Sequence, residues 1–161
     1  MTKRTGGPTD PAEVLSLDEA AMHLLNEARM VLPGIQALFG FQLIAVFNQG
    51  FSQKLSPGEQ YLHLAATTLV VVAVALVMTP AALHRQLEPR SVSRRFISLS
   101  SRLLLWSMVP LAIGISVDLY LVARTILGTT LPAAMLAALM LLVYLGLWFW
   151  LPRSLGSSAA G

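Results

Sequence analysis

The sequence contains no cysteine, and this absence removes several kinds of chemistry at once. No disulfide, thiolate nucleophile or cysteine-ligated metal site is possible, and cysteine usage gives no indication of the redox compartment. The three histidines are dispersed and lack the HExxH spacing of a zinc enzyme, so no metal site is predicted. The sequence also lacks a glycine-rich phosphate loop, a nucleophile elbow and a paired-carboxylate pattern. We therefore expect no catalytic residue, no cofactor and no enzymatic activity.

Charged residues are scarce as well. They make up 12% of the chain and hydrophobic residues 55%, against about 25% and roughly 45–50% in soluble domains. A chain of 161 residues cannot bury that much apolar surface in water, so lipid must solvate part of it. The composition predicts an integral membrane protein with a single domain, whose first partner is the lipid bilayer.

Four apolar runs predict an all-α fold, an integral membrane four-helix bundle. The predicted spans are residues 30–47, 61–83, 96–122 and 131–151, which together form a transmembrane domain over 30–151. The fourth span is 21 residues long and carries no charge. Two pairs of small residues within it, Ala133 with Ala137 and Ala134 with Ala138, are typical of close packing between membrane helices.

Different structures are predicted for the two ends of the chain. Residues 1–9 are polar and predict a disordered tail. Residues 10–29 place apolar side chains at helical spacing and predict an amphipathic interfacial helix, which bends into the bilayer at Pro33-Gly34. Pro152-Arg153 is predicted to stop the last helix, so that residues 152–161 form a second disordered tail.

Basic residues are distributed unequally between the two sides of the predicted bundle. Because four spans put both termini on one side, nine basic residues lie with the termini: Lys3, Arg4, Arg29, Arg85, Arg90, Arg94, Arg95, Arg102 and Arg153. The opposite side has two, Lys54 and Arg124. This bias predicts that both termini are cytoplasmic. The basic loop 84–102 lies between two spans, so anionic lipids are a simpler partner for it than nucleic acid.

Two segments resemble a known family. Leu24-Leu25-Asn26-Glu27-Ala28-Arg29, continued by Leu32-Pro33-Gly34-Ile35-Gln36-Ala37-Leu38-Phe39, resembles the bacterial membrane family called domain of unknown function 6328. Phe47 to Phe51 and Thr79-Pro80 through His84-Arg85 are similar to its pattern too. The resemblance covers about Leu24 to Leu151 and implies a protein of the bacterial cytoplasmic (inner) membrane. Some members carry an automatic sodium:proton antiporter label, which implies no demonstrated chemistry, so no catalytic residue is carried over.

The cytoplasmic side holds one group of candidate site residues: Glu27, Arg29, Arg85, Arg94 and Arg102. They suit either a cation or proton gate or a structural ion pair. The structural interpretation is favoured because Arg102 lies inside the first turns of span three and needs an acid nearby. We therefore expect Glu27 to contact Arg102, or failing that Arg85 or Arg94.

A second candidate pair, His63 and Asp118, lies near the outer ends of spans two and three. Together they suit a proton relay, because histidine changes its charge near neutral pH. Asp118 follows Arg102 by 16 residues, about 24 Å along a helix, so it is predicted near the outer interface. Solvation there is the favoured interpretation. Gln36 and Gln42 lie inside span one and are expected to face the bundle as packing contacts between helices.

Three functions remain open at this point. The favoured one is a non-enzymatic accessory or scaffolding subunit, in a homo-oligomer or a larger membrane complex. The alternative is a minimal cation or proton transporter that acts as an oligomer. An enzyme acting on lipid through Glu27 and His84 is the least supported, because nothing there pairs a nucleophile with a base.

Overall fold

The computed structural model describes residues 16–87 and 92–158, and all the regular structure in these two ranges is helical. The α-helices are α1 (Leu17–Phe47), α2 (Gly50–Lys54), α3 (Pro57–Leu87), α4 (Arg94–Leu127), α5 (Thr130–Leu145) and α6 (Leu151–Ser158). A π-helical turn, Gly146–Trp150, joins α5 to α6. The predicted all-α class is confirmed.

Four helical stretches are long and apolar enough to cross a membrane: Leu17–Phe47, Pro57–Gln86, Arg94–Leu127 and Thr130–Leu155. They confirm the predicted four-helix bundle and fit a multi-pass membrane protein. All four exceed the predicted spans, because their polar ends continue the helix beyond the apolar run. The end of the bundle that carries α2 and the turn at Gly128 is called here the α2 end. The opposite end, towards which both termini run, is called the terminal end.

Local sequence explains where the helices begin. Ser16 and Glu19 form a capping box in which each side chain bonds the backbone N–H of the other, so α1 begins at Leu17. Ser56 and Glu59 make the same reciprocal pair before α3. The Ser93 hydroxyl accepts from the Phe96 N–H at the start of α4.

The first predicted boundary is wrong. One uninterrupted helix, α1, replaces the surface helix over 10–29 and the separate span over 30–47, and Pro33 lies inside it. A break within a bilayer would leave several backbone groups unpaired, whereas proline removes only one N–H, so continuing the helix costs less. The alternative start at Asp10 and the predicted tail over 1–9 lie outside the described residues.

The last predicted boundary is also wrong. The helix does not stop at Pro152-Arg153 but continues as α6 to Ser158, where a disordered tail was predicted. The physical reason is the π-turn, in which the Leu151 N–H donates to the Gly146 carbonyl five residues back. The missing N–H of Pro152 therefore falls where the i to i−4 ladder is already interrupted.

Helices α3 and α4 make the closest contact in the bundle, around Gly114. A Cβ atom at Gly114 would lie 3.2 Å from both the Ala66 carbonyl oxygen and Val70 Cγ2. Ala66 and Val70 are fully buried at this contact. Because small residues let the backbones approach, dispersion contacts hold two helices for which lipid provides no hydrophobic driving force.

The apolar core lies between α1, α3 and α4. Its most buried residues are Ala28 and Ile35 of α1 and Val70 and Val77 of α3, with Leu104 and Leu111 of α4 packed against them. Helix α5 adds Ala133, which is fully buried, while Ala134 and Ala138 are exposed. One of the two predicted small-residue pairs therefore faces the bundle and the other faces away from it.

Gly114→Leu should test the contact between α3 and α4. We expect it to destabilise the protein by about 1–3 kcal/mol, the usual scale of overpacking. Gly40→Leu is the matched control, because a Cβ at Gly40 meets nothing within 4 Å. Both substitutions gain about 0.8–1 kcal/mol of helix propensity. Thermal unfolding in detergent should therefore show a lower Tm for Gly114→Leu alone, and equal shifts would contradict the close contact.

Candidate functional site

Helices α1, α3 and α4 meet in a polar cluster near the α2 end, formed by Gln42, His63 and Asp118. His63 Nε2 lies 3.0 Å from the backbone oxygen of Gln42. The Gln42 side-chain Nε2 donates to Asp118 Oδ2 at 2.6 Å. His63 Nδ1 lies 3.4 Å from Asp118 Oδ1. The three residues come from three helices, so each contact in the Gln42–His63–Asp118 cluster also joins two spans.

The geometry determines how protons are arranged in the cluster. A carbonyl oxygen only accepts hydrogen bonds, so His63 Nε2 must carry the proton that it shares with Gln42. A neutral ring of this tautomer turns the lone pair of Nδ1 towards the carboxyl oxygen of Asp118. Two lone pairs facing each other repel, so a second proton on Nδ1 or on Oδ1 would stabilise the contact. The His63–Asp118 pair can therefore hold one exchangeable proton.

The cluster is buried although it consists of polar groups. Gln42 is 4% exposed and His63 is 7% exposed. Gln42 Oε1 and Asp118 Oδ1 are both shielded from solvent and have no hydrogen-bond partner in residues 16–87 and 92–158. Asp118 Oδ1 does contact His63, but 3.4 Å is long for an N–H···O hydrogen bond, so this contact is mainly electrostatic. The edge of Phe51 closes the other side of the imidazole, with ring centroids 5.3 Å apart.

The close contact of α3 with α4 sets the distance across the cluster. Gly114 lies one helical turn before Asp118, and Ala66 lies almost one turn after His63. Because Gly114 and Ala66 let the two backbones approach, a short aspartate side chain on α4 reaches a ring on α3. The Thr67 hydroxyl donates a hydrogen bond to the His63 carbonyl oxygen at 2.9 Å, so this oxygen accepts a side-chain hydrogen bond in addition to that of the helix backbone.

A cavity of about 510 Å³ lies beside the cluster at the α2 end. Its walls are mostly apolar, and Phe41, Phe51 and Leu121 are among them. Lys54 also lines it, close to the polar residues of the cluster. Farther out, Arg124 Nε lies 3.9 Å from Glu59 Oε1. Asp118 precedes Arg124 by six residues, about 9 Å along α4, so the cluster lies well inside the level of this ion pair.

The structure brings together the two residues that the sequence predicts as an outer polar pair. His63 and Asp118 are in contact, as the relay interpretation requires, and Gln42 completes the cluster. The favoured expectation of interfacial solvation is wrong, because His63 is buried and only 19% of the Asp118 side chain is exposed. Packing between the helices, which sequence counting along one helix does not show, buries His63 and most of the Asp118 side chain.

The candidates predicted for the cytoplasmic side form no ion pair with one another in the described residues. In residues 16–87 and 92–158, the ion pairs are His63 with Asp118 and Glu59 with Arg124. Glu27 is exposed on α1 and pairs with none of Arg85, Arg94 and Arg102, so that expectation is wrong for these partners. The physical reason is that an exposed arginine at a helix end reaches the polar interface with its long side chain and needs no buried acid. Arg90 lies outside the described residues.

The two glutamines of α1 have different environments. Gln42 faces the bundle as expected, whereas Gln36 is exposed and makes no hydrogen bond with a described residue. Gln36 lies six residues from Gln42, which turns it by about 240° around the helix, away from α3 and α4. The sequence did contain a signal that Gln42 and His63 could meet. Gln42 lies six residues before Asn48, which caps the end of α1, and His63 lies six residues after Pro57, where α3 begins. The two residues therefore lie at the same depth in the bundle.

The described residues contain no group of three or more His, Asp or Glu side chains that could hold a metal ion. The cluster supplies one carboxylate, one imidazole and one amide, of which the imidazole already contacts the other two residues. Its arrangement suits holding a proton and joining helices.

Residues 13–152 match the sequence profile of a family described as a family of unknown function (DUF6328). The chain belongs to this family. The match covers three of the four long helices in full and the fourth as far as residue 152, and it confirms the resemblance found in the sequence. Comparison with curated proteins and with solved structures gave no match. The Gln42–His63–Asp118 cluster therefore lies within the part of the chain that defines membership of DUF6328.

His63→Ala and Asp118→Ala should each destabilise this DUF6328 protein. Removing either residue leaves a buried polar partner unpaired, at a cost of about 1–3 kcal/mol. The double variant should cost at least about 0.5 kcal/mol less than the sum of the two, because residues in contact are not additive. Unfolding in detergent measures all three free energies.

Gln36→Ala is the control for this cycle, because Gln36 lies on the same helix as Gln42 but is exposed. It should change the free energy of unfolding by no more than about 0.5 kcal/mol. Strictly additive losses for His63→Ala and Asp118→Ala would mean that their contact contributes nothing to stability.

Proposed function

We propose that this protein is a non-enzymatic accessory or scaffolding subunit that works in a homo-oligomer or in a larger membrane complex. The observation that carries the proposal is the use of the buried polar groups. His63, Gln42 and Asp118 contact one another across three helices, so their polar groups join the spans at the edge of the cavity. Buried polar networks of this kind fix the arrangement of a bundle. A fixed bundle is what a scaffold requires.

The packing below the cluster supports the same function. From the cluster towards the terminal end, the inward face of α3 carries Ala66, Val70, Ala73 and Val77, each at most 2% exposed. Ions and protons cross a bilayer along polar or water-filled paths. The inward face of α3 is therefore apolar and closely packed below the cluster, which favours a structural role over transport by one copy.

The fourth long helix supplies a lateral surface. Ala133 is the one buried residue of α5, and the rest of this helix is exposed or only partly covered by the bundle. Ala134 and Ala138 lie exposed one helical turn apart, and small residues at this spacing let a second membrane helix approach closely. We propose this face of α5 as the contact through which copies of the chain, or the chain and a partner subunit, associate.

The charge distribution supports one orientation. Arg29, Arg85, Arg94, Arg95 and Arg102 lie towards the terminal end, whereas the α2 end has Lys54 and Arg124. Basic residues concentrate on the cytoplasmic side of membrane proteins. We therefore propose a bacterial inner-membrane location with both termini in the cytoplasm and anionic lipids around the basic loop 84–102.

A minimal cation or proton transporter is the second candidate, and one observation favours it. The His63–Asp118 pair can hold an exchangeable proton, lies inside the long apolar helices and borders a cavity. Ionisable residues inside membrane spans often mark ion pathways. Because the single bundle is packed below the cluster, such a pathway would have to run between copies of the chain.

The scaffold proposal predicts association of the purified protein. In a mild detergent, light scattering should give a protein mass that is a multiple of 17.4 kDa. Ala134→Leu with Ala138→Leu should shift the mass towards that of one chain, because the larger side chains separate the helices. Ala65→Leu, at an exposed position of α3, should leave the mass unchanged. A monomer for the unaltered protein would exclude the homo-oligomer.

The two candidate functions differ in ion flux. Protein reconstituted in liposomes under a sodium or a pH gradient should show no flux above protein-free liposomes, because the interior of the bundle is closed. Flux that disappears with Asp118→Asn but persists with Gln36→Ala would overturn the scaffold proposal and support transport. Flux that both variants retain would place a pathway away from the cluster.

A further inference from the structure

A groove between α1 and α3 lies at the terminal end, on the opposite side of the bilayer from the polar cluster. Its volume is about 340 Å³. Its walls are apolar, formed by Leu25 and Leu32 of α1 and by Val77, Met78 and Ala81 of α3, with basic residues at the rim. We call it the Arg29–Arg85 groove, after the two arginines that line it.

The described residues do not compensate the positive charge of the groove. Arg29 and Arg85 are both exposed, and neither forms an ion pair with any residue in 16–87 or 92–158. None of the described residues that line the groove is acidic. His84 lines it too, but its ring packs against Phe96 of α4, with centroids 5.6 Å apart. Two guanidinium groups at one rim therefore have donors available for an anion, and arginine suits phosphate oxygens.

The depth of the groove matches that of lipid headgroups. Arg29 precedes Phe47, at the α2 end, by 18 residues, which is about 27 Å along α1. The hydrocarbon core of a bilayer is about 30 Å thick. With Phe47 at one edge of the hydrocarbon, Arg29 lies near the other edge, where the phosphates of the second leaflet begin.

The apolar walls indicate which kind of anion fits. A soluble phosphate gains nothing from contact with Leu32, Val77 or Met78, whereas an acyl chain extending from a phosphate at the rim covers them. A second concavity of about 480 Å³ on α3 shares Met78, Ala81 and Arg85 with the groove. The two concavities meet below one arginine, as the two chains of a phospholipid meet below one headgroup.

We infer that the Arg29–Arg85 groove is a binding site for an anionic phospholipid, with the lipid phosphate between the two guanidinium groups and an acyl chain between α1 and α3. Basic pockets between membrane helices bind such headgroups. This site differs from general attraction to the basic loop, because it joins Arg29 of α1 to Arg85 of α3. The bound lipid fills the contact between these helices at the terminal end, where the polar cluster does not reach.

The test compares two double variants that each remove two positive charges. Arg29→Gln with Arg85→Gln alters the groove, whereas Arg94→Gln with Arg95→Gln alters two exposed arginines at the start of α4. The full chain in nonionic detergent is titrated with dioleoylphosphatidylglycerol or dioleoylphosphatidylcholine. Native mass spectrometry counts bound lipid, and thermal unfolding measures the stabilisation that bound lipid provides.

The unaltered protein and the Arg94/Arg95 variant should retain phosphatidylglycerol and gain Tm from it. The Arg29/Arg85 variant should bind it about tenfold more weakly or worse, the scale expected for two arginines near an anionic lipid. Equal losses of phosphatidylglycerol binding in both double variants would mean that the lipid is attracted by diffuse positive charge and not by the groove. Equal retention of phosphatidylcholine would show that no anion is recognised. Inorganic phosphate that raises the Tm as much as the lipid would assign the site to a soluble anion. Each of these results would overturn the inference.

A second pair of variants keeps every charge and tests the walls. Ala81→Trp fills the groove, and Ala65→Trp places the same side chain on an exposed position of α3 nearer the α2 end. Phosphatidylglycerol retention should be lost with Ala81→Trp and kept with Ala65→Trp. Unchanged retention by Ala81→Trp would show that the lipid does not occupy the groove. The Tm without added lipid reports folding, and this pair decides the question even if the arginine variant proves unstable.

Discussion

The close approach of α3 and α4 at Gly114 is the constraint on which the rest of the structure depends. In a bilayer, apolar side chains gain little by leaving lipid for protein, so two helices stay together only where their surfaces fit closely. Gly114 against Ala66 and Val70 provides that fit. The same contact brings Asp118 within reach of His63 and fixes the positions against which α1 packs.

The polar cluster provides what the apolar contacts cannot, namely specificity for one arrangement of α1. Apolar side chains on α1 would pack nearly as well after a small rotation or shift along α3. Gln42 tolerates neither, because its backbone oxygen meets His63 and its side chain meets Asp118. A rotated α1 would leave His63 Nε2 and Asp118 Oδ2 without the partners that Gln42 provides, which is costly in a medium of low dielectric constant. Two contacts from one residue therefore orient a whole helix.

The two ends of the bundle are chemically different. At the α2 end, a buried proton-holding pair lies beneath the Glu59–Arg124 ion pair, so charges of opposite sign are matched. At the terminal end, Arg29 and Arg85 have no acidic partner among the described residues. The anionic lipid proposed above would complement their charge. In that proposal, the protein itself stabilises one end of the bundle and the membrane contributes to the other.

The sequence by itself determined that there are four long helices, because an apolar segment of about twenty residues forms a membrane-spanning α-helix in lipid. It also marked the helix starts, since capping by Ser56 and Glu59 is a local interaction between residues three apart. The sequence did not determine that the helices continue through Pro33 and Pro152. Whether a proline ends a helix depends on the neighbouring turns and on the surroundings.

Only the tertiary structure decided which polar residues meet. Gln42 and Asp118 are 76 residues apart, and their contact depends on the rotation of two helices about their own axes. The sequence predicts that Gln36 faces the bundle like Gln42 and that Glu27 pairs with an arginine, yet both residues are exposed. Depth along a helix can be counted from the sequence at 1.5 Å per residue. The direction a side chain faces is set by packing against the neighbouring helices, and no single helix carries that information.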